Sequence, residues 1–422
     1  VNDAFRPVSR FFDRINRPEQ LIPSLLSAMR VLTDPAETGA VTIAMPQDVQ
    51  AEVFDWPVEL FRKRVWHVRR PVPEPAALER AVALIKAAKR PLIIAGGGTI
   101  YAGASEELRA LATATGIPVG DTQAGKGAIN FDHPSAVGGV GSTGCDSGNH
   151  IADKADLIIG VGTRYSDFTT ASKTQFKNPD VKFVNINVTP FDAAKESAEM
   201  VVADAREALA ALTEALADYR VEAAYSEEIT AEKEAWLKAT ERCYHLDHGP
   251  LPAQTEVFGA LNELMGEEDV VINAAGSMPG DLQALWQARS PLQYHVEYAF
   301  SCMGYEVPAA MGVKLARPEA EVVSIVGDGT YQMLPMELAT VVQENIKVIY
   351  VLLQNYGFCS IGALSESRGS QRFGTKYRRR GEGSHLADEQ VIDGVDIAAN
   401  ARSWGLDVLE VHTIAEFKEA YR

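Results

Sequence analysis

"EVVSIVGDG", residues 321–329, runs from small apolar residues into a carboxylate held between two glycines. The run reads as a buried strand and Gly327-Asp328-Gly329 as the turn that ends it. Alone, the triplet is an ordinary Asp-Gly turn. The next two segments of the chain give it another meaning. "YQMLPMELATVVQENI" (331–346) has apolar residues at three- and four-residue spacing and predicts a helix, and "IKVIYVLLQN" (346–355) predicts the next strand. A strand–helix–strand unit brings the chain back to the same sheet edge, so Asp328 and Asn355, 27 positions apart, are expected side by side. Both offer oxygen, which hard divalent cations take alongside substrate phosphates.

The same alternation extends outward. "GAVTIAMP" (39–46), "RPLIIAGGGT" (90–99), "ADLIIGVGTR" (155–164), "VKFVNINV" (181–188), "EDVVINAAG" (268–276) and "WGLDVLEV" (404–411) read as strands. "EELRALATATGIPV" (106–119) reads as a helix leading into another strand, and the Ala- and Glu-rich stretch 206–243 as long helices. The implied class is α/β with parallel sheets. The expected division is a fragment at 1–57, an α/β domain at 75–205, a helical linker at 206–249, and a second α/β domain at 250–422. Ligands in such sheets sit at the carboxyl ends of strands, where both Gly276 and Asp328 fall.

Composition narrows the function. The 422 residues are 46% hydrophobic and 23% charged, with no apolar run of the roughly 18 residues that span a membrane. A formal charge of −17 argues against a nucleic-acid partner. Four scattered cysteines, without CxxC pairing, fit a reducing cytoplasm. The basic cluster Lys376-Tyr377-Arg378-Arg379-Arg380 reads as a solvated loop, with an anion-binding loop as the lesser alternative. The chain opens on Val1 rather than methionine and stops abruptly after "HTIAEFKEAYR", a helix expected to be capped at Thr413. Both ends are therefore expected to lack material.

Two further stretches bear on chemistry. "NAAGSMPGD" (273–281) presents small residues at a strand end, suited equally to a phosphate cradle or a structural turn. In "FSCMGYEVPAAMGVKLA" (300–316), Met303 stands in the turn before a helix, where core filling is its ordinary use.

Together these stretches resemble the thiamine-diphosphate-dependent enzymes. Gly327-Asp328-Gly329 with Gln354-Asn355 is similar to their cofactor motif, and "SCMGYEVPAAMG" to the segment before it in acetolactate-synthase-like members. The resemblance covers essentially the whole chain. It implies the end of a pyrimidine-binding domain at 1–57, a central domain at 75–205 and a diphosphate-binding domain at 250–422. "SRFFDRINRPEQL", "TQAGKGAINFDHP" and "INAAGSMPGDLQALW" resemble, more narrowly, the trihydroxycyclohexane-1,2-dione hydrolases of myo-inositol catabolism.

The resemblance implies thiamine diphosphate and Mg²⁺ as cofactors, with the metal held by Asp328, Asn355 and the Gly357 carbonyl. Ala275, Gly276, Ser277, Gly329 and Thr330 would bind the diphosphate, Ser301 would receive the cofactor's amino group, and Met303 would wedge beneath it. His295 or Glu297 is placed to move protons, a structural role being equally open to each. The implied reaction opens a cyclic polyol dione to 5-deoxy-glucuronate, in a homodimer or tetramer whose chains share the site. Two departures stand. Gln354 replaces the first Asn of the usual pair, and the family's activating glutamate belongs to a region this chain does not contain. Rival expectations are a carboligase acting on pyruvate, a non-catalytic protein retaining the fold, and a nicotinamide-dependent dehydrogenase. "AGGGTIYAG" (95–103) resembles a dinucleotide turn but lacks a clean GxGxxG and the following acidic residue, so a bound dinucleotide is the less favoured reading.

Overall fold

A computed structural model describes residues 1–379, 390–391 and 394–422. The first sheet is small: β1 (Phe11–Arg14) lies parallel to β2 (Val41–Ala44), and the helix Leu21–Leu32 connects them.

Six strands form the middle sheet: β3 (Pro91–Ala95), β4 (Val119–Asp121), β5 (Ala136–Gly139), β6 (Leu157–Val161), β7 (Lys182–Asn187) and β8 (Glu199–Val202). Their order is β5-β4-β3-β6-β7-β8, all parallel. Continuous Val/Ile/Leu runs suit β3 and β6 because helices cover both faces, and every residue of these two strands is buried. The direction of winding reverses between β3 and β6. There the "AGGGT" turn packs backbone to backbone against Gly162: Gly98 donates to the Gly162 carbonyl at 3.0 Å. A Cβ on Gly98 would lie 2.7 Å from Gly162 Cα, so close packing of two loops accounts for glycine at this point.

The last sheet contains β9 (Val270–Asn273), β10 (Tyr294–Val296), β11 (Val322–Gly327) and β12 (Ile349–Leu353), parallel in the order β10-β9-β11-β12. The expected adjacency of the Asp328 and Asn355 strands is thus realised in β11 and β12, with the Gly276 strand on β11's other side.

The Ala/Glu-rich stretch forms the helices Ala205–Ala215 and Ala223–Tyr244. The first buries Ala208, Leu209 and Leu212 in the core of the middle sheet. The second runs from β5 of the middle sheet to the helices Gln254–Leu264 and Met278–Leu285 beside the last sheet, and its Trp236 donates to the Ala284 carbonyl at 2.7 Å. Two glutamines also cross between the two large sheets. Gln123, just past β4, donates to the Pro279 carbonyl at 2.7 Å and accepts from the Tyr294 hydroxyl at 3.1 Å. Gln283 donates to the carbonyls of Asp121 and Val140, each at 3.3 Å.

Three expectations need correction. Residues 331–346 are not one helix: a single turn, Asp328–Tyr331, precedes the helix Glu337–Gln343. Pro335 has no N–H to continue the ladder, so the chain restarts beyond it. Residues 404–411 form no strand. Trp404 closes the helix Ile397–Trp404, Gly405 ends it at φ +98°, Leu406 packs beside Ile397, and Leu409 lies exposed. Without a neighbouring strand to pair with, the alternation makes no ladder. The basic cluster is not wholly loop, since Arg378–Arg379 pairs antiparallel with Gln390–Val391; Arg380 lies outside the described residues. Among the described residues, β1, β5, β8, β10 and the paired segments Arg378–Arg379 and Gln390–Val391 go beyond the sequence expectations. The helix Ile414–Tyr421 does begin at Thr413, whose side chain accepts from the Glu416 N–H. No helix among the described residues is long and apolar enough to cross a membrane.

Candidate active site

The carboxyl ends of β9, β11 and β12 open into a cleft of ≈ 740 Å³. Ala275, Gly276, Ser277, Ser301, Met303, Asp328, Gly329, Thr330, Asn355 and Gly357 all line it, so the candidate residues are gathered from four separate segments. The opposite wall comes from the middle sheet's loops, including Gln123, Thr143 and Phe168.

Asp328 is almost wholly buried and has no basic partner among the described residues. Its Oδ1 accepts from Gly329 N at 3.0 Å and its Oδ2 from Gly357 N at 3.2 Å. Burial pushes the carboxyl above its usual range, while backbone N–H groups from residues 329 and 355–357 favour its charge. Asn355 stands beside it. The end of its amide that faces inward lies 3.1 Å from Asp328 Oδ1 and 2.8 Å from the Gly357 carbonyl. An inward nitrogen would donate to both. An inward oxygen would complete three oxygens around one point, the donor set of a hard divalent cation held together with phosphate. A buried, uncompensated carboxylate in that set fits such an ion. Gly357 carries φ +153°, and a Cβ there would sit 2.3 Å from the Thr375 carbonyl, so only glycine admits this turn.

Gly276 has φ +89°, and a Cβ there would meet the end of the Met278 side chain at 3.5 Å. The Ala275 N–H is taken by Glu306 Oε1 at 3.3 Å, and the Ser277 hydroxyl donates to Gln254 Oε1 at 3.0 Å. Gly329 packs beneath Phe358, whose ring would lie 2.9 Å from a Cβ. Thr330 Oγ1 accepts from Gly304 N at 2.7 Å and lies 3.0 Å from Glu306 Oε2.

The turn at 300–304 is held in an unusual shape. Ser301 sits at φ +51°, left-handed backbone that costs a non-glycine residue about 1 kcal/mol. Glu297 holds the turn from below, its carboxylate accepting from Phe300 N at 3.3 Å and from Cys302 N at 2.7 Å. Met303 projects from the turn into the cleft and is 38% exposed, too open for core filling. His295 lies outside the lining. Its Nε2 shares a hydrogen with the Tyr305 hydroxyl at 2.7 Å, and burial holds the ring below its ordinary range. Glu297 thus shapes the site, and His295 stands behind it.

Glu306 went unnoticed in the sequence. Its one signal was a carboxylate inside the otherwise apolar "GYEVPAAMG", where a charge signals buried hydrogen bonding.

Residues 78–212 match the thiamine pyrophosphate enzyme central domain, and residues 274–422 match its C-terminal TPP binding domain. The whole chain aligns at 46% identity with a 3D-(3,5/4)-trihydroxycyclohexane-1,2-dione hydrolase of Bacillus cereus (strain AH820), covering 69% of that protein. Proteins of the same name from Bacillus anthracis (strain CDC 684 / NRRL 3495) and Bacillus thuringiensis (strain Al Hakam) are 45% and 46% identical over the whole chain and 69% of their own length. By its matched domains, its parallel sheets and its full-length likeness to these relatives, the chain belongs to the thiamine-pyrophosphate-dependent enzymes.

Proposed function

We propose that the protein is a thiamine-diphosphate- and Mg²⁺-dependent hydrolase of a carbon–carbon bond. It would open the ring of 3D-(3,5/4)-trihydroxycyclohexane-1,2-dione to 5-deoxy-glucuronate in cytoplasmic inositol catabolism. The observation that carries this is identity of 45–46% along the entire chain with relatives of that name.

Bound thiamine diphosphate would supply the carbon nucleophile and the electron sink for the cleaved bond. The chain's residues would position it. Asp328, the Asn355 side-chain oxygen and the Gly357 carbonyl would hold Mg²⁺. Gly276, Ser277 and Thr330 would donate to phosphate oxygens, with Ala275 and Gly329, whose N–H groups go to Glu306 and Asp328, in the wall beside them. The Ser301 carbonyl would accept from the cofactor's amino group, Met303 would support its bend, and Glu297 would keep that turn in shape.

In this reading residues 1–57 belong to a pyrimidine-binding domain, 75–205 to the central domain, 206–249 to a helical connection and 250–422 to the diphosphate-binding domain. A second copy would complete the site in a homodimer or tetramer. Exposed apolar residues around the cleft support this: Phe300, Met333, Met336, Ile361 and Leu364 all face outward. Together they suit an obligate interface, which buries above about 2,000 Å². The test is turnover of the cyclic dione against pyruvate, with thiamine diphosphate and Mg²⁺ supplied. Ring opening without carboligation is expected; acetolactate formation from pyruvate would overturn the hydrolase assignment.

A further inference from the structure

Glu306, the first residue of the helix Glu306–Ala316, has 0% exposure and makes no ion pair among the described residues. It ties three segments together. Oε1 receives the Ala275 N–H from the loop after β9, and Oε2 meets Thr330 Oγ1 from the turn after β11. Thr330 in turn receives the Gly304 N–H from the turn before the helix.

The titratable groups on the surrounding elements are Tyr305 beside it, Asp328 and Tyr331 after β11, Glu337 on the helix Glu337–Gln343, and Tyr350 on β12. None is a cation. A carboxylate taken from water without a positive partner costs several kcal/mol, which favours its neutral form. Burial accordingly pushes Glu306 upward. A diphosphate anion in the adjoining cleft would push the same way.

The proton count at Thr330 gives this a consequence. The hydroxyl has one proton and two acceptor sites, one of them filled by Gly304 N–H. Facing an ionised Glu306, the hydroxyl must donate to it and has nothing left for a ligand. Facing a protonated Glu306, it accepts from the carboxyl, and its own proton turns toward the cleft that Thr330 lines.

We propose that Glu306 is a positioning residue that takes up a proton from solvent when the cofactor binds, donates it to Thr330 Oγ1, and so aims the Thr330 hydroxyl at the diphosphate. This rests on the cleft being the diphosphate site. Because binding takes up a proton, affinity falls as pH rises through the range where Glu306 ionises in the free protein.

The test is calorimetric titration of thiamine diphosphate with Mg²⁺ in buffers of different ionisation enthalpy, for wild type and Glu306→Gln. The amide copies the neutral carboxyl, accepting from Ala275 and donating to Thr330. At pH above the range where Glu306 ionises in the free protein, wild type should take up about one proton more than the variant and lose up to about tenfold in affinity per pH unit relative to it. The diphosphate's own titration is common to both and cancels. Equal proton uptake and parallel pH profiles would overturn the proposal. Failure of wild type to bind the cofactor would overturn the underlying site instead, a distinct result. Should Glu306→Gln fold poorly, difference infrared spectra of wild type carry the test. A protonated-carboxyl band gained on cofactor binding, and shifted in Thr330→Val, is expected; no such band would sink the idea.

Discussion

In the six-stranded sheet every residue of β3 and β6 is buried, and the turns beyond them are filled by their own backbone. In the four-stranded sheet β12 buries only Val351 of its five residues, and the turns beyond β9, β11 and β12 open into a cleft lined in part by exposed Met303, Ile361 and Leu364. Both sheets are parallel and wound from the same kind of unit. They differ in where the loops go after the strands end. One set closes on itself and makes a finished core; the other holds carboxylates, amides and apolar surface that stays bare among the described residues. Stability should therefore concentrate in the first sheet and ligand chemistry in the second.

That contrast can be broken at four places. Asp328→Ala should show the largest effect, a loss on the order of a thousandfold in cofactor affinity with Mg²⁺, about 4 kcal/mol, with the urea midpoint unchanged or raised. Calorimetry beside equilibrium unfolding checks both halves; wild-type affinity would remove Asp328 from the metal set. Ile159→Ala, at the centre of β6, should do the reverse, costing about 3 kcal/mol of stability while cofactor affinity holds. A several-fold change in affinity would show that the finished core also governs the cleft. Met303→Ala should lower kcat about tenfold, about 1.4 kcal/mol, with cofactor affinity little changed, as steady-state and binding measurements would show. Unchanged turnover with weaker binding would make it a mere wall residue. Met336→Ser should move folding stability by no more than about 0.5 kcal/mol yet weaken self-association in sedimentation; unaltered association would mean that this surface is not covered by a second copy.

Much of the six-stranded sheet was legible because continuous Val, Ile and Leu runs leave little choice but a buried strand. Short strands were not. β5 is half glycine, and β10 holds three residues, one of them His295, so neither offers a period long enough to read. Residues 404–411 show the opposite failure: the pattern alternates, but pairing depends on a neighbour that the sequence does not announce. In the site, Asp328 and Asn355 could be found because a strand–helix–strand unit has a fixed return. Glu306 could not, and for Glu297 proton transfer and a structural role stayed equally open, since their work is to hold backbone N–H groups of the 300–304 turn and the 275 loop, contacts that exist only after folding.

Gln123 and Gln283 reach across from one large sheet to the other, and Trp236 is bonded to the Ala284 carbonyl from the helix between them. Should either sheet open alone, these groups would lose their partners while still screened from water, at about 1–3 kcal/mol for each orphaned group. Partial unfolding is thereby penalised from both sides. The two halves should melt in one cooperative transition, with calorimetric and van't Hoff enthalpies in agreement, even though one half carries most of the stability and the other the chemistry.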